Sequence, residues 1–403
     1  MRAYELLTEG KNPHMTHLED LVLDNGYAGA QSALQYATGV RNMLSSGKGK
    51  ASQVTVKWDG SPAIFTGIDP EDGKFFVGTK SALSKGVPKR IKSPADIEKF
   101  YSEIPELGEK LLAAFTHLRK LGIKNVLQGD LMFTQGDVQA ENIEGEDVLT
   151  FTPNTITYAV PVDTDLAKQI TKAKLGIVFH TSYDGGDSIH TAEKSFNVDI
   201  SKLNKTPDVW YDDATYKDYT GVASLTPEED NFLKQEIIAA KARTAELGKE
   251  NLNMIVTNPE FKKTIQPFIN ANVRAGSSID DPAQFTKNFL AFYKERTLKG
   301  IEDLKPTFQQ KRHDKITAKG DFLEQNKNSV FQLIDLYNHL NRIKLTIISK
   351  LNTIDGLKTF IKSGDGYDVT NPEGFVAIGH DGGAVKLVDR LEFSQQNFAR
   401  RPE

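Results

Sequence analysis

Strand-like and helix-like patterning are segregated along this chain. Residues 52–80 alternate between apolar and polar: "QVTVKWDGSPAIFTGI", a turn "DPEDGK", then "FFVGTKSAL". That period of two predicts a strand, a tight turn and a returning strand. From Thr226 to about Lys362 the apolar spacing changes to three and four. Thr226, Pro227 and Glu229 supply a helix start at its head. The last 40 or so residues return to alternation in "GFVAIGH" and "AVKLVDRLEF". Strands need partners, so β-rich sequence on both sides of a helical block predicts one α+β domain with a helical insertion. The boundaries expected are 1–225 for the first part of the core, 226–362 for the insertion and 363–403 for completion of the core.

Composition narrows the chemistry. The 403 residues include no cysteine, which removes disulfides, thiol nucleophiles and Cys-ligated zinc, and fits a reducing compartment. The eight histidines show no metal-ligand spacing, and "SSGKGKAS" lacks the spacing of a phosphate-binding loop. No apolar run reaches 18 residues, and "MRAYELLTEGKNPH" has no leader-like apolar stretch. The expectation is a cytoplasmic protein without a membrane partner. The net charge of −4 is uneven. Residues 231–350 hold 20 Lys+Arg against 13 Asp+Glu, and the remainder holds 30 against 41. A basic segment on an acidic body suits either a polyanion partner or a solvated helical surface.

Lys57 interrupts the first strand. In "VTVKWDG" the period of two puts Lys57 and Asp59 on one face and Val56 and Trp58 on the other. Gly60 permits a tight turn or a close approach to the backbone. A lysine held near other cations has a lowered pKa and becomes a nucleophile. A strand lysine snorkelling beside Asp59 has the same short pattern.

Further motifs follow in order: "VGTKSAL", "VLQGDLMF", "GIVFHTSY", "NPEGFVAIG" and "AVKLVDR". With "KWDGSPAIF" they make the chain similar to the covalent nucleotidyltransferases, which include ATP-dependent DNA and RNA ligases and mRNA capping enzymes. The phage RNA ligases of the tRNA-repair type are nearest in pattern. The resemblance spans about residues 50–185 and 368–390. It implies a core of antiparallel sheets, ATP and Mg²⁺ (or Mn²⁺), and a lysyl-AMP on Lys57. It implies nucleotide contacts from Asp59, Gly60, Lys80, Asp130, Glu373 and Lys386, with Glu373 and Asp130 as metal ligands. Phe179 is the expected platform for the base, with Tyr158 as the fallback. The implied partner is a nucleic acid, RNA before DNA. The helical insertion lies outside the resemblance, and its basic surplus makes it the candidate contact surface, with a partner-protein surface as the alternative. The implied reaction joins 5′-phosphate to 3′-hydroxyl ends, as in RNA repair. Transfer of AMP to another acceptor, or a binding protein that has lost ligation, would keep the same motifs.

The chain departs from that pattern in three places. Asp130 stands where glutamate is usual, and Val388 stands where a second lysine is usual, with Arg390 as a candidate replacement. Only 17 residues follow Lys386, too few for the small barrel of DNA ligases and capping enzymes. This favours the RNA ligase reading.

Overall fold

The computed structural model describes residues 15–46, 53–143, 145–196, 198–214, 224–277, 279, 281–298, 305–351, 358–363, 366–369, 374–378 and 384–391. They form a mixed α+β protein with several antiparallel sheets. Two compact units divide the chain. The helical unit takes Met1–Ser52, Ser224–Lys350 and Gly383–Glu403, and the sheet unit takes Gln53–Ala223 and Leu351–Gly382. The first helix, α1 (Asp20–Ser46), therefore joins the helical block rather than the sheets.

The sheet unit opens with β1 (Gln53–Lys57), β2 (Ala63–Ile68) and β3 (Phe75–Gly78), followed by α2 (Ala95–Tyr101) and α3 (Pro105–Leu118). Next come β4 (Val126–Thr134), β5 (Gln139–Ile143), β6 (Glu146–Phe151), β7 (Thr157–Pro161), α4 (Asp165–Lys172), β8 (Leu175–Asp184), β9 (Glu193–Ser195) and β10 (Val209–Asp213). After the helical block, β11 (Lys358–Ser363), β12 (Gly366–Val369) and β13 (Gly374–Ile378) return to this unit. The helical patterning predicts helix as far as Lys362. Instead "KTFIKS" forms β11 and pairs antiparallel with β7, Thr359 opposite Tyr158.

Two sheets stack in this unit. One has the order β10-β8-β4-β2-β3 with β9 beside β8, and the other β12-β11-β7-β6-β5. Alternation along β4 and β8 gives the first sheet two apolar faces. Leu127, Leu131, Ile177 and Phe179 pack with Leu111, Ala114, Phe115 and Leu118 of α3. Met132, Phe133 and Val178 pack with Phe151, Tyr158 and Val160 of the second sheet. Gly176 lies beneath Phe133, where a Cβ would sit 2.2 Å from the ring, so only glycine allows this close packing.

The helical unit comprises α1, α5 (Pro227–Thr257), α6 (Pro259–Arg274), α7 (Pro282–Leu298), α8 (Pro306–Gln325) and α9 (Lys327–Leu351), with a short strand β14 (Ala384–Leu387). Helix α1 is kinked at Gly26, φ 56°. Asn253 accepts the Tyr27 backbone N–H at 2.9 Å, and Arg41 reaches Asp230 at 2.6 Å, which ties α1 along α5. Thr226 and Glu229 form the capping box that starts α5. Phe285, Phe289 and Tyr293 are buried and Phe292 packs on Phe268, so these aromatics are core. No helix among the described residues is long and apolar enough to cross a membrane.

One charge cluster locks this unit. Lys344 of α9 donates to Glu19 at 2.6 Å, with both side chains 1% exposed. Arg390 pairs with Asp20 and lies 3.6 Å from Glu19. Its guanidinium also donates to the Tyr337 hydroxyl at 3.3 Å, which in turn donates to Asp20. Burial opposes charge on Glu19, but Lys344 and Arg390 outweigh it and hold its carboxyl down at about 2. Burial, reinforced by Arg390, Lys344 and Lys386, pushes the His17 imidazole down to about 2. The unfolded chain then takes a proton on His17 before the folded one does. His17 contributes stability above about pH 6.5, and that contribution falls as pH drops below this value. Circular-dichroism melts between pH 7 and 5 should lose melting temperature more steeply in the wild type than in His17→Phe, whose ring cannot titrate. Equal slopes would show that His17 takes a proton without disturbing the fold.

Candidate active site

The motif segment 57–60 runs from the end of β1 into contact with β4 and with the turn at 154–156. Lys57 is the last residue of β1, half-buried, and pairs opposite Gly374 in the antiparallel β1–β13 ladder. Gly374 directly follows Glu373 in sequence. Glu373 itself lies outside the described residues. The strand stops at Lys57, and Trp58 turns onto Tyr158, with ring centroids 5.2 Å apart, and onto Trp210 at 6.4 Å.

Asp59 faces inward and is 5% exposed. Its Oδ1 accepts from Asn154 Nδ2 at 2.8 Å, and its Oδ2 accepts from the backbone N–H groups of Thr155 and Ile156 at 2.7 and 2.9 Å. Its own N–H donates to the Tyr158 hydroxyl at 2.8 Å. The expected nucleotide contact by Asp59 gives way to an internal one: the carboxylate anchors the 154–156 turn.

Gly60 comes against β4. A Cβ there would sit 2.5 Å from the Asp130 Cβ and 3.0 Å from the Leu131 carbonyl, so the position requires glycine. Ser61 N–H donates to Leu131 O at 3.0 Å, and Leu131 N–H donates to Pro62 O at 3.1 Å. Ala63 then pairs with Asp130 in the β2–β4 ladder. The first and third motifs are thus in direct contact.

Asp130 is partly exposed, its side chain at 21%. His180 Nε2 lies 3.8 Å from its Oδ1. The β4–β8 register jumps here: Gln128 pairs with Thr181 but Gly129 pairs with Phe179, so His180 is the extra residue of a bulge. Such a bulge re-aims side chains. His180 Nδ1 meets Thr181 Oγ1 at 2.7 Å, and both join Asp130 on the face turned towards the second sheet. The sequence assigns His180 no role, because a bulge leaves no mark in the apolar pattern of "GIVFHTSY".

Phe179 does not present its ring to a ligand. It is fully buried on the opposite face, in the core shared with α3. The alternation that aims Val178 and Asp130 one way sends Phe179 and Gly129 the other. Tyr158, the fallback, is 2% exposed and packed against Phe151 and Trp58. Lys80 is exposed, but past the end of β3, as the first residue of a 3-10 turn capped by Thr79. Lys386 lies on β14 in the helical unit, where its backbone pairs with Thr16 and Leu18. Arg390 is committed to Asp20, so it does not replace the missing second lysine. Among the described residues no group of three His, Asp or Glu side chains is placed to hold a metal.

Residues 12–401 match a family of unknown function, DUF6267, and the chain belongs to that family. No curated protein and no solved structure matches the chain.

Proposed function

We propose that this protein is an ATP-dependent polynucleotide ligase, RNA ligase-like, that works through a covalent AMP on Lys57. The observation that carries the reading is a convergence. Lys57 pairs opposite Gly374, and Gly60 packs on Asp130. Three stretches far apart in sequence, each resembling a nucleotidyltransferase motif, meet within one unit built of stacked, largely antiparallel sheets.

The chemistry asks for an amine in line with the α-phosphorus of ATP. A nitrogen–phosphorus bond forms at Lys57 Nζ, the bond to pyrophosphate breaks, and the amine gives up a proton. Catalysis of such a transfer is mostly positioning and charge stabilisation. The double anchorage of 57–60, through Asp59 to 154–156 and through Gly60 and Ser61 to β4, supplies the positioning. Asp130, a partly exposed carboxylate, suits a hard cation or a ribose hydroxyl, and Lys80 suits phosphate oxygens. Magnesium ion, when bound, would neutralise charge on the phosphates. Glu373 is the further carboxylate that the resemblance assigns to it.

The test uses α-labelled ATP and Mg²⁺ with protein freed of bound nucleotide, followed by denaturing electrophoresis. The expected result is a covalent label on the wild type and complete loss of it in Lys57→Ala and Lys57→Arg. A wild type that takes no label overturns the reading. Label without sealing of 5′-phosphorylated RNA or DNA points to AMP transfer to another acceptor.

A further inference from the structure

We propose that residues 79–92 form an anion-binding surface for the sugar–phosphate backbone of a nucleic-acid strand, presented by Lys80, Lys85 and Lys89. The segment "TKSALSKGVPKRIK" contains five Lys/Arg and no Asp/Glu. It stands out against its surroundings. Residues 53–223 hold 19 Lys+Arg and 25 Asp+Glu, so without this segment the balance is 14 against 25.

The five cations divide into two groups. Arg90 and Lys92 hold the segment to the turn between β2 and β3. Arg90 Nη1 contacts both oxygens of the fully buried Asp69 at 2.9 and 2.8 Å, and Arg90 also reaches Glu71. Lys92 reaches Asp69 at 2.6 Å and Asp72 at 2.7 Å. Burial works against charge on Asp69, but hydrogen bonds from Lys92, the Glu71 N–H and Arg90 hold its carboxyl below the usual range. Val77 and Ile91 exchange backbone hydrogen bonds, Lys89 N–H donates to Ser81 O at 3.2 Å, and Ala82 is buried. The two ends of the segment are therefore fixed. Lys80, Lys85 and Lys89 are exposed on that scaffold, with no acid paired to any of them among the described residues. Lys89 lies over the Tyr101 ring at 5.5 Å, which leaves its charge in place.

The location also fits. Gly78 pairs with Phe65, so the chain leaves β3 at the end of the sheet where Ala63 meets Asp130. The helical block has the larger formal surplus, but several of its cations are paired. Arg243, Lys294, Arg342, Lys344 and Lys350 each hold an acid of that unit. A cluster of three exposed lysines on an anchored loop is what a phosphate backbone selects. The choice of a nucleic-acid strand as the polyanion rests on the reading proposed for Lys57; the anion-binding surface does not.

The experiment measures fluorescence anisotropy of a labelled, 5′-phosphorylated single-stranded RNA against salt, with the full chain and the double variant Lys85→Ala/Lys89→Ala. For a single strand, each phosphate that the protein neutralises adds about 0.7 to the steepness of log K against log salt. The double variant should be shallower by about 1.4 and bind ~10-fold or more weakly at 0.1 M salt. Its melting temperature and its covalent labelling with ATP should match the wild type. Equal slope and affinity, or no RNA binding by the wild type, overturns the proposal. Polyglutamate binding as tight as RNA binding, with the same weakening in the variant, overturns the nucleic-acid assignment. RNA binding by Lys57→Ala is measured in parallel. Its persistence, together with a wild type that takes no label, would sink the ligase reading and leave this surface standing.

Discussion

Lys344→Met is expected to destabilise the helical unit by about 3 kcal/mol, the lower end of what removing one partner of a buried ion pair costs. The substitution leaves Glu19 fully buried with its principal partner gone. Arg390, at 3.6 Å, offsets part of the loss, which is why the lower end is chosen. A change of this size moves the melting temperature by roughly 6–12 °C for a unit of about 200 residues. The double variant Glu19→Leu/Lys344→Met removes both charges and should recover most of the loss, since an apolar pair of similar volume is often no worse than the ion pair. Circular-dichroism melts at pH 7 read both. A shift under about 2 °C for Lys344→Met would mean that Glu19 finds water or Arg390 at little cost, and that the pair is not the lock described above.

The second large effect is expected at Asp59. Asp59→Ala removes the acceptor of two backbone N–H groups and one side-chain amide. Leaving buried donors unsatisfied costs about 1–3 kcal/mol each. Asn154 is exposed and can turn to water, so the two backbone donors should cost about 2–6 kcal/mol together. Asp59→Asn keeps the shape and one oxygen and should lose roughly half of that. Hydrogen exchange is the direct readout: the amides of Thr155 and Ile156 should lose protection in the alanine variant while those of β2 keep theirs. Unchanged protection would show that the turn holds itself. If Asp59 also positions Lys57, covalent labelling falls with the protection and not with global stability.

Much of the local structure was legible. The alternation about Lys57 gave β1 and β2, "DPEDGK" gave the turn before β3, and the Thr226 capping box opens α5. The helical character of 226–351 also follows from spacing. These features depend on neighbours within a few residues, which period and capping chemistry report. The boundary at β11 was missed because "TIDGLKTFIK" carries a mixed period that pairing with β7 resolves into a strand. Helix α1 falls in the helical unit, a placement its sequence does not report, since an amphipathic helix does not state which apolar surface it will cover.

The site divides along the same line. Sequence alone determined which residue types stand in order: a lysine, an acid and a glycine at 57–60, an acid at 130, a glycine at 374. Tertiary structure decided what each of them faces. It turned the Asp59 carboxylate onto the 154–156 turn, set Gly60 against Asp130, and buried Phe179 under α3. It brought His180 beside Asp130 through a one-residue bulge. It also separated the cations of residues 79–92 into two that anchor and three that face solvent. The physical reason is that side-chain direction follows strand register and loop closure. Both are set by partners tens to hundreds of residues away, and a change of one position in register exchanges core for site.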